Sequence, residues 1–406
     1  MYNIKLNSYV PKPNPAISDR VVAAHYYAAW KKGAAGLHEG FNDLAEDYPD
    51  RTPLMGYYEE ENPEVCDWEI KWAAEHGINC FIHCWYRKPD NYGKKVTLND
   101  LRCAHGLHEA LFNAKYQKYM KFAIMYEASA RWGGTDEEDL VENLMPFWME
   151  TYFKRENYLV IDNKPVVFFY SHRRLEDKCF KSADSQKEAF EKCREYAKSQ
   201  GFDGLTIAVC NVSRDKEVYD DYMARGYDFR YGYTAGYNAP YDFYPDEDDI
   251  IKQQCRMFTS NLALDDCKFI PTVSCFLDPT PRFTQRWNDL GYDFRKMANI
   301  WYLSPEKYRE LLDKVKEISE NLPENAWGRK LIMIDNWNEW DEGHFVAPSH
   351  KFGFKYLQAI REVFTQRNNL PDYITPRDHG FESYNKSWIT PDFSKKCEEL
   401  LKDKNK

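Results

Sequence analysis

Two glutamates three residues apart follow a short apolar run near the end of the chain. Glu339 and Glu342 come after residues 331–334, a run typical of a strand buried on both faces. One helical turn or a tight loop would direct both carboxyl groups into the same small volume. Mutual repulsion, or unequal burial beside Trp337 and Trp340, would separate their proton affinities, so that one carboxyl donates a proton and the other accepts one. Cleavage of a glycosidic bond requires this pair of roles.

The same acidic residues are also compatible with a purely structural role. Asn338, Glu339, Asp341 and Glu342 would then cap and solvate the start of a helix, where acidic residues are common. The neighbouring tryptophans and the buried strand before them favour the catalytic interpretation, because barrel enzymes keep their reactive groups at strand ends. Glu127 ends another apolar run, 121–127, and is a third candidate acid.

The chain repeats one order of elements, a short apolar strand followed by an amphipathic helix. Eight strands are predicted, at residues 21–27, 78–86, 121–127, 159–161 with 165–170, 205–211, 227–233, 269–275 and 331–334. Helices are predicted at residues 63–75, 98–119, 137–152, 188–199, 218–225, 248–260, 305–320 and 352–366. This alternation predicts parallel pairing and a single (β/α)8 TIM barrel over residues 1–370. Residues 371–406 are predicted to form a C-terminal extension that packs on the barrel and carries a charged helix at 393–402.

A doubly wound open sheet would show the same alternation of strands and helices. Such a sheet usually has a glycine-rich turn after an early strand to bind a phosphate, and no early turn here has G-x-G-x-x-G or G-x-x-x-x-G-K-[ST]. The closed barrel is therefore the preferred architecture, and no nucleotide cofactor is expected.

The net charge and the aromatic content of the chain indicate which kinds of molecule it binds. The 406 residues carry 55 Lys and Arg against 65 Asp and Glu, a net charge of -10, with no dense basic block, so a nucleic acid is not an expected partner. Aromatic residues make up 16% of the chain, and many stand at predicted strand ends, which suits the flat apolar faces of sugars. We therefore expect an oligosaccharide or polysaccharide substrate; the oligomeric state is left open.

The cysteines and the first residues bear on the compartment. The 11 cysteines are scattered without paired spacing, and several lie inside apolar runs, so we interpret them as reduced. The first residues lack a charged segment followed by an apolar one, and no apolar run is long enough to span a bilayer. We expect a cytoplasmic protein without membrane insertion, or a periplasmic or secreted one if a signal peptide has been removed.

Strand ends converge on one face of a barrel, so residues far apart in the chain can line one cleft. The predicted substrate-binding residues are Tyr26, Tyr27, Trp30, Trp85, Tyr86, Glu127, Tyr231, Tyr233, Asp278, Arg282, Asn336, Trp337, Asn338 and Trp340. His25 and Asn211 stand at the same predicted edge. The alternative for each aromatic residue is packing inside the barrel or under a helix, and Arg282 is a possible structural partner for a buried acid.

The other motifs in the sequence do not indicate a metal site or a nucleophile triad. His83 stands between Cys80 and Cys84, but strand alternation would send it to the opposite face from Cys84, which argues against a metal site. Residues 246–249 are acidic and precede a helical run, where acids favour the helix dipole over a divalent cation. The chain lacks H-E-x-x-H and a nucleophile elbow. No metal is expected.

The chain resembles the WbsX-type domains, which are related to the endo-α-mannosidases of glycoside hydrolase family 99. The resemblance covers most of the chain and is carried, in order, by Tyr26, Tyr27 and Trp30, by 56–58, 67–73, 77–86 and 278–282, by N-W-N-E-W-D-E-G at 336–343, and by Pro348 and 352–357. It implies a (β/α)8 barrel that cleaves an α-linked glycan with retention, Glu339 and Glu342 being the catalytic carboxyls. Glu339 would take the proton of the substrate's 2-hydroxyl, which attacks the anomeric carbon, while Glu342 protonates the leaving oxygen.

Two departures from the family pattern bear on the substrate. This chain has V-A-P-S-H at 346–350 where many relatives carry an acid, and its third strand ends in Glu127 rather than an amide. An ordinary retaining scheme, with Glu127 or Glu339 as nucleophile and Glu342 as acid, is also open. So are two other classes of function: a glycosyltransferase of surface-polysaccharide synthesis, as WbsX-type relatives are named, and a non-catalytic glycan-binding barrel.

Overall fold

Eight parallel strands form a closed barrel in the computed structural model, which describes residues 10–31, 48, 51–129, 133–170, 180–234, 245–281 and 300–379. The strands are β1 Val21–Tyr26, β2 Cys80–Arg87, β3 Lys121–Glu127, β4 Lys164–Tyr170, β5 Thr206–Cys210, β6 Phe229–Tyr231, β7 Phe269–Ile270 with Thr272–Ser274, and β8 Leu331–Asp335. Each strand pairs in parallel with the next. The barrel closes where β8 pairs with β1, with Leu331 opposite Val21. The predicted barrel is thus confirmed.

The strands are short apolar runs buried on both faces, as parallel strands covered by helices must be. Every residue of β8 is buried. Within β7, Pro271 has no N–H to donate, and the strand is interrupted at that residue.

Helices cover the outside of the barrel between successive strands. They are Pro63–Glu75, Ala183–Ser199, Lys216–Ala224, Glu247–Leu262, Pro305–Glu320 and Lys355–Phe364, together with the helical turns Glu137–Asp139, Leu140–Leu144, Met145–Trp148 and Met149–Phe153. Local sequence sets their ends. Asn62 caps the first helix by accepting from the N–H of Glu64, Pro63 opens it, and Gly77 follows it with φ of +91°.

Two helix predictions differ from the structure. Residues 98–119 form no long helix: they contain the short turns Leu98–Asp100, Gly106–Ala110, Leu111–Asn113 and Gln117–Tyr119. Leu101–Arg102 pairs there with the end of β2, and Cys103 has a left-handed backbone, which a continuous helix excludes. The Ala183–Ser199 helix begins before the predicted residue 188, because Ser182 and Ser185 form a capping box.

The first part of the predicted C-terminal extension contacts the Pro63–Glu75 helix. Asp372 accepts from Lys71 Nζ at 2.9 Å, and the carbonyl of Ile374 accepts from Trp72 Nε1 at 3.1 Å. The helix predicted at 393–402 lies outside the described residues, and the division at residue 370 stays a prediction. No helix in the described ranges is both long and apolar enough to cross a membrane.

Candidate active site

The chain leaves β8 at the carboxyl end of the barrel and turns into a short hairpin. Asn338–Glu339 pairs antiparallel with His344–Phe345, and Glu339 lies opposite His344. Gly343 takes a left-handed backbone, with φ of +58°, at the turn. The acidic segment is thus the reversal of a hairpin rather than the first turn of a helix.

The hairpin brings both predicted catalytic carboxyls to one imidazole. Oε2 of Glu342 lies 3.0 Å and Oε2 of Glu339 lies 3.3 Å from Nε2 of His344. The Glu339 side chain is 4% exposed and that of Glu342 is 22% exposed. One carboxyl therefore lies in the protein interior while the other reaches solvent.

Glu339 is held by two further polar side chains. Tyr233, which follows β6, donates its phenol O–H to Oε2 of Glu339, and Asn336 Nδ2 donates to the same oxygen at 3.1 Å. Asn336 Nδ2 also lies 2.7 Å from the Tyr233 oxygen. Burial, together with the nearby Cys84 and Glu339, raises the pKa of Tyr233 well above its ordinary value, so this phenol stays neutral and keeps its proton.

Asp335 and His344 are functional candidates that the sequence reasoning missed. Nδ1 of His344 lies 2.6 Å from Oδ1 of Asp335, whose Oδ2 accepts from the Ser274 hydroxyl at 2.5 Å. We call Asp335, Glu339, Glu342 and His344 the acid–histidine cluster. A tight turn at Gly343 was the available signal, since it places the residue after it across from a residue before it.

His25 lies inside the barrel close to this cluster. Its ring centroid is 4.8 Å from that of Tyr233 and 5.9 Å from that of Tyr231. Neither ring nitrogen has a hydrogen-bond partner among the described residues. Burial, with a smaller contribution from His344, lowers the pKa of His25 to about 3, so this imidazole is neutral.

Tyr26 and Trp337 point away from Glu339, towards the Pro63–Glu75 helix. The Tyr26 hydroxyl donates to one oxygen of Glu69 at 2.8 Å, and Trp337 Nε1 donates to the other at 3.0 Å. Burial, and then repulsion from Glu60, raises the pKa of Glu69 to about 8. Both aromatic rings are buried, so this contact anchors the start of the hairpin to the helix layer.

Asn338 ties the hairpin to the loop after β1. Its Nδ2 donates to Glu60 at 2.8 Å, and its Oδ1 accepts from the backbone N–H of Tyr27 at 2.8 Å. Trp30 Nε1 donates to the Asn338 carbonyl at 2.8 Å. Glu60 also accepts from the backbone N–H of Trp30 at 3.1 Å. These predicted site residues therefore lie together and are joined through Glu60.

The outer end of the hairpin is held by Arg51 and Asp278. Arg51 Nη2 lies 2.5 Å from Oδ2 of Asp278, and Nη1 donates to the Asp278 carbonyl at 2.7 Å. The backbone N–H of Asp278 donates to the carbonyl of Glu342 at 3.1 Å. Trp340 is buried beside this point and donates to the Tyr58 hydroxyl at 3.0 Å.

The remaining predicted binding residues that the structure describes are Tyr86, Glu127, Tyr231 and Trp85. Tyr86 lies on the same side as Glu339. Burial raises the pKa of Tyr86, and Cys84, Tyr27, Cys103 and Glu339 add smaller contributions in that order. Glu127 and Tyr231 are buried, and the Glu127 charge adds to the burial that raises the pKa of Tyr231.

Trp85 lies on the other face of β2. Its Nε1 donates to the Tyr152 hydroxyl at 2.9 Å, and its ring packs edge to face with Trp148. The structure therefore does not bring Trp85 to the acid–histidine cluster.

Two other residues were predicted at the same edge. Asn211 accepts from Arg230 at 3.2 Å, and Arg282 lies outside the described residues.

His83, Cys84 and Asp246, which belong to the motifs considered as metal sites in the sequence, have structural contacts. His83 packs on the Tyr26 ring at 4.4 Å, while the Cys84 thiol lies 3.8 Å from the Tyr233 oxygen, on the opposite face of β2. Asp246 caps the Glu247–Leu262 helix. Among the described residues, two groups bring carboxyl oxygens within 4.8 Å of a thiol or an imidazole nitrogen: Asp265 with Asp266 and Cys267, and Glu339 with Glu342 and His344.

Fold and site together define a (β/α)8 barrel with an acid-bearing loop at the carboxyl end of its last strand, the face on which barrel enzymes carry their active sites. The sequence profile of the family described as "Glycosyltransferase WbsX" matches residues 129–360, more than half of the chain. The protein belongs to this family.

Two curated proteins match the chain in sequence along most of its length. The chain is 20% identical to "Uncharacterized protein WxcX" from two strains of Xanthomonas campestris pv. campestris, over 346 and 344 residues. These matches cover 79% of this chain and 44% of each relative. The chain thus spans less than half the length of the curated relatives that it matches.

Three solved structures share the fold. A "Glycoside hydrolase-like protein" superposes with a TM-score of 0.60 at 17% identity, covering 88% of this chain and 98% of the other. The family 99 endo-α-mannosidase from Bacteroides thetaiotaomicron gives a TM-score of 0.54 at 17% identity, covering 85% and 97%. Its complex with bis-tris propane also gives 0.54, at 16% identity, covering 85% and 96%. At these identities the likeness concerns the fold.

Proposed function

We propose that the protein is a glycoside hydrolase that cleaves an α-linked glycan with retention of configuration, using Glu339 and Glu342. The observation that carries this proposal is the shared contact of both carboxyls with His344 at the end of β8. Oxygens of the two carboxyls lie within 4.8 Å of each other. Both carboxyls can therefore reach groups on one sugar ring.

The unequal surroundings of the two carboxyls support different roles. Glu339 is buried, and the hydrogen bonds that it accepts from Tyr233 and Asn336 fix the position of its carboxylate, which suits a base. Glu342 is partly exposed and suits a group that must reach the leaving oxygen of an incoming glycan.

The reaction then runs in two steps. Glu339 takes the proton of the sugar's 2-hydroxyl, O2 attacks the anomeric carbon, the bond to the leaving oxygen breaks, and Glu342 gives that oxygen its proton. Water next attacks the anomeric carbon of the anhydro sugar and loses a proton to Glu342, while the bond between O2 and the anomeric carbon breaks and Glu339 returns its proton to O2. Two inversions at one carbon give net retention, and both carboxyls regain their starting protonation states.

Hydrolysis of a library of α-linked oligosaccharides, with product configuration read by NMR, is the first test. We expect Glu342→Gln to lower kcat by about 10²–10⁴-fold on a glycan with a poor leaving group. The loss should be much smaller on an aryl glycoside, whose leaving group needs no proton. Glu339→Gln should lower both rates. The exposed Glu188, on the Ala183–Ser199 helix, offers the matched control Glu188→Gln, which should leave both rates unchanged. Full activity of Glu342→Gln on the poor leaving group would refute the assigned acid.

A 2-deoxy-2-fluoro substrate with a good leaving group separates the two retaining schemes. If O2 is the nucleophile, this substrate lacks the reacting group and stays inert. If a carboxylate is the nucleophile, the protein gains the mass of the sugar, and the labelled peptide identifies the residue as Glu339 or Glu127.

A glycosyltransferase is the second candidate, favoured by the description of the matched family. The acidic stretch at 246–249 offers it little support as a cation site. Oδ1 of Asp246 accepts from the N–H of Asp248, and Asp248 lies 2.5 Å from Lys307 Nζ. Calorimetry with nucleotide sugars, with and without Mn²⁺, tests this candidate: absence of binding removes it, while binding with sugar transfer to a glycan acceptor replaces the hydrolase proposal.

A further inference from the structure

His344 is surrounded by acceptors in a way that an ordinary packing histidine is not. Its ring is fully buried, Nδ1 lies 2.6 Å from Asp335, and Nε2 lies 3.0 Å from Glu342 and 3.3 Å from Glu339. An ionised carboxylate can only accept, so Nδ1 must carry a proton to meet an ionised Asp335, and Nε2 must carry one to meet whichever glutamate is ionised. An imidazole with one proton would leave a lone pair facing a carboxylate.

We propose that His344 is a positioning residue, held as an imidazolium by Asp335, whose single Nε2–H serves whichever of the two glutamates is negatively charged. This inference deepens the proposed function and rests on it for the reaction steps. The charge of His344 itself is a separate statement and is tested without a substrate.

In the proposed reaction Glu339 and Glu342 exchange protonation states, which explains why one shared hydrogen-bond donor is useful. Before the first step Glu339 is ionised and Glu342 is protonated; after it Glu339 is protonated and Glu342 is ionised. The negative charge thus moves between two oxygens that both lie within 3.3 Å of Nε2. The Nε2–H can follow that charge by a small change in hydrogen-bond direction, and His344 neither gains nor loses a proton. A fixed donor near a charge that develops in the transition state lowers the barrier.

The groups around the ring support this role. Asp335 is fixed on its other side by the Ser274 hydroxyl, so it cannot rotate away from Nδ1 without losing that bond. Tyr233 meets the ring edge to face, with centroids 5.8 Å apart, and is neutral because burial raises its pKa. His25 is also neutral, because burial lowers its pKa to about 3. The acidic side chains described against His344 are Asp335, Glu339 and Glu342. Burial raises the pKa of Asp335, and its contacts with His344 and Ser274 oppose that rise.

Nitrogen NMR on histidine-labelled protein tests the charge of His344 directly. His344→Gln identifies the resonances by their loss. We expect both ring nitrogens of His344 to carry a proton at pH 7, and the pH at which the ring loses a proton to be lower in Asp335→Asn, where an amide of the same shape replaces the carboxylate. A singly protonated His344 ring at pH 7 in the unmutated protein would overturn the inference, whatever the activity.

Kinetics test the positioning role. We expect His344→Gln to lower kcat on the order of 10²-fold with KM nearly unchanged, because the donor acts on charge that develops during reaction. Asp335→Asn should lower kcat through the same ring, so the double variant should be no slower than His344→Gln. His108→Gln, a half-buried histidine bonded to Tyr152, is the control and should leave kcat unchanged. Additive losses, or a change in KM that parallels a lower melting temperature, would show a structural role and overturn the inference.

The two proposals fail in different experiments. An unreactive panel of glycans, or an active Glu342→Gln, counts against the hydrolase. A neutral His344 ring, or additive kinetics, counts against the shared donor.

Discussion

The contribution of the buried Glu69 to stability should fall as the pH rises from about 5 to 8, because this carboxyl holds a proton that the unfolded chain gives up. Its oxygens face the Tyr26 hydroxyl and the Trp337 indole, and no described cation contacts it. Burial, and then Glu60, raises the pKa of this carboxyl from 4.5 to about 8. Between these two pH values Glu69 binds more protons in the folded state than in the unfolded state, so its contribution to the free energy of unfolding decreases as pH rises.

The size of this effect follows from the pKa difference. Each unit of pKa corresponds to about 1.4 kcal/mol, so Glu69 costs the folded state about 3 kcal/mol at pH 7, relative to pH values below 4.5. Above pH 8 the loss is complete and the dependence becomes flat. Glu69→Gln should remove the dependence, because the amide can donate to the Tyr26 oxygen and accept from Trp337 with no proton to lose.

Urea denaturation of both proteins at pH 5, 6, 7 and 8 provides the measurement. We expect the difference in unfolding free energy to be about 1 kcal/mol at pH 5 and about 3 kcal/mol at pH 7, in favour of Glu69→Gln. Glu75→Gln is the control on the same helix. Glu75 accepts from the buried Lys71 at 2.6 Å, so its neutralisation should destabilise the protein at pH 7. A Glu69→Gln difference that does not change with pH would refute the reasoning.

Three further outcomes are expected. Tyr233→Phe removes the phenol that donates to Glu339 and should lower kcat on the order of 10²-fold with folding intact; an unchanged kcat would contradict the role of this donor. Gly343→Ala should lower the free energy of unfolding by about 1–3 kcal/mol in urea titrations, because φ is +58° and the new Cβ would lie 2.6 Å from Arg51 Nη1; wild-type stability would contradict this close approach. Zn²⁺ should not bind the acid–histidine cluster at pH 7, because both ring nitrogens of His344 carry protons and leave no lone pair for a metal; calorimetry checks this, and Zn²⁺ binding that is lost in Glu342→Gln would contradict it.

The amino-acid sequence determined the barrel and the region of its site. Short apolar runs ended by polar residues predicted eight strands, because a strand covered on both faces must be apolar along its length. The break from 331–334 into amides, indoles and acids predicted where polar groups would collect, and the structure places Glu339 and Glu342 together there. These features are local, so the sequence alone can carry them.

Only the tertiary structure decided which side chains meet. Tyr26, Trp85 and Trp337 stand at strand ends like the other candidates, but they face the helix layer, and strand alternation does not tell which of two faces is the inner one. His344 reaches Asp335 and both glutamates because a hairpin reverses the chain at Gly343. Distances between side chains depend on the path of the whole backbone, and that path is set by packing among residues far apart in the sequence.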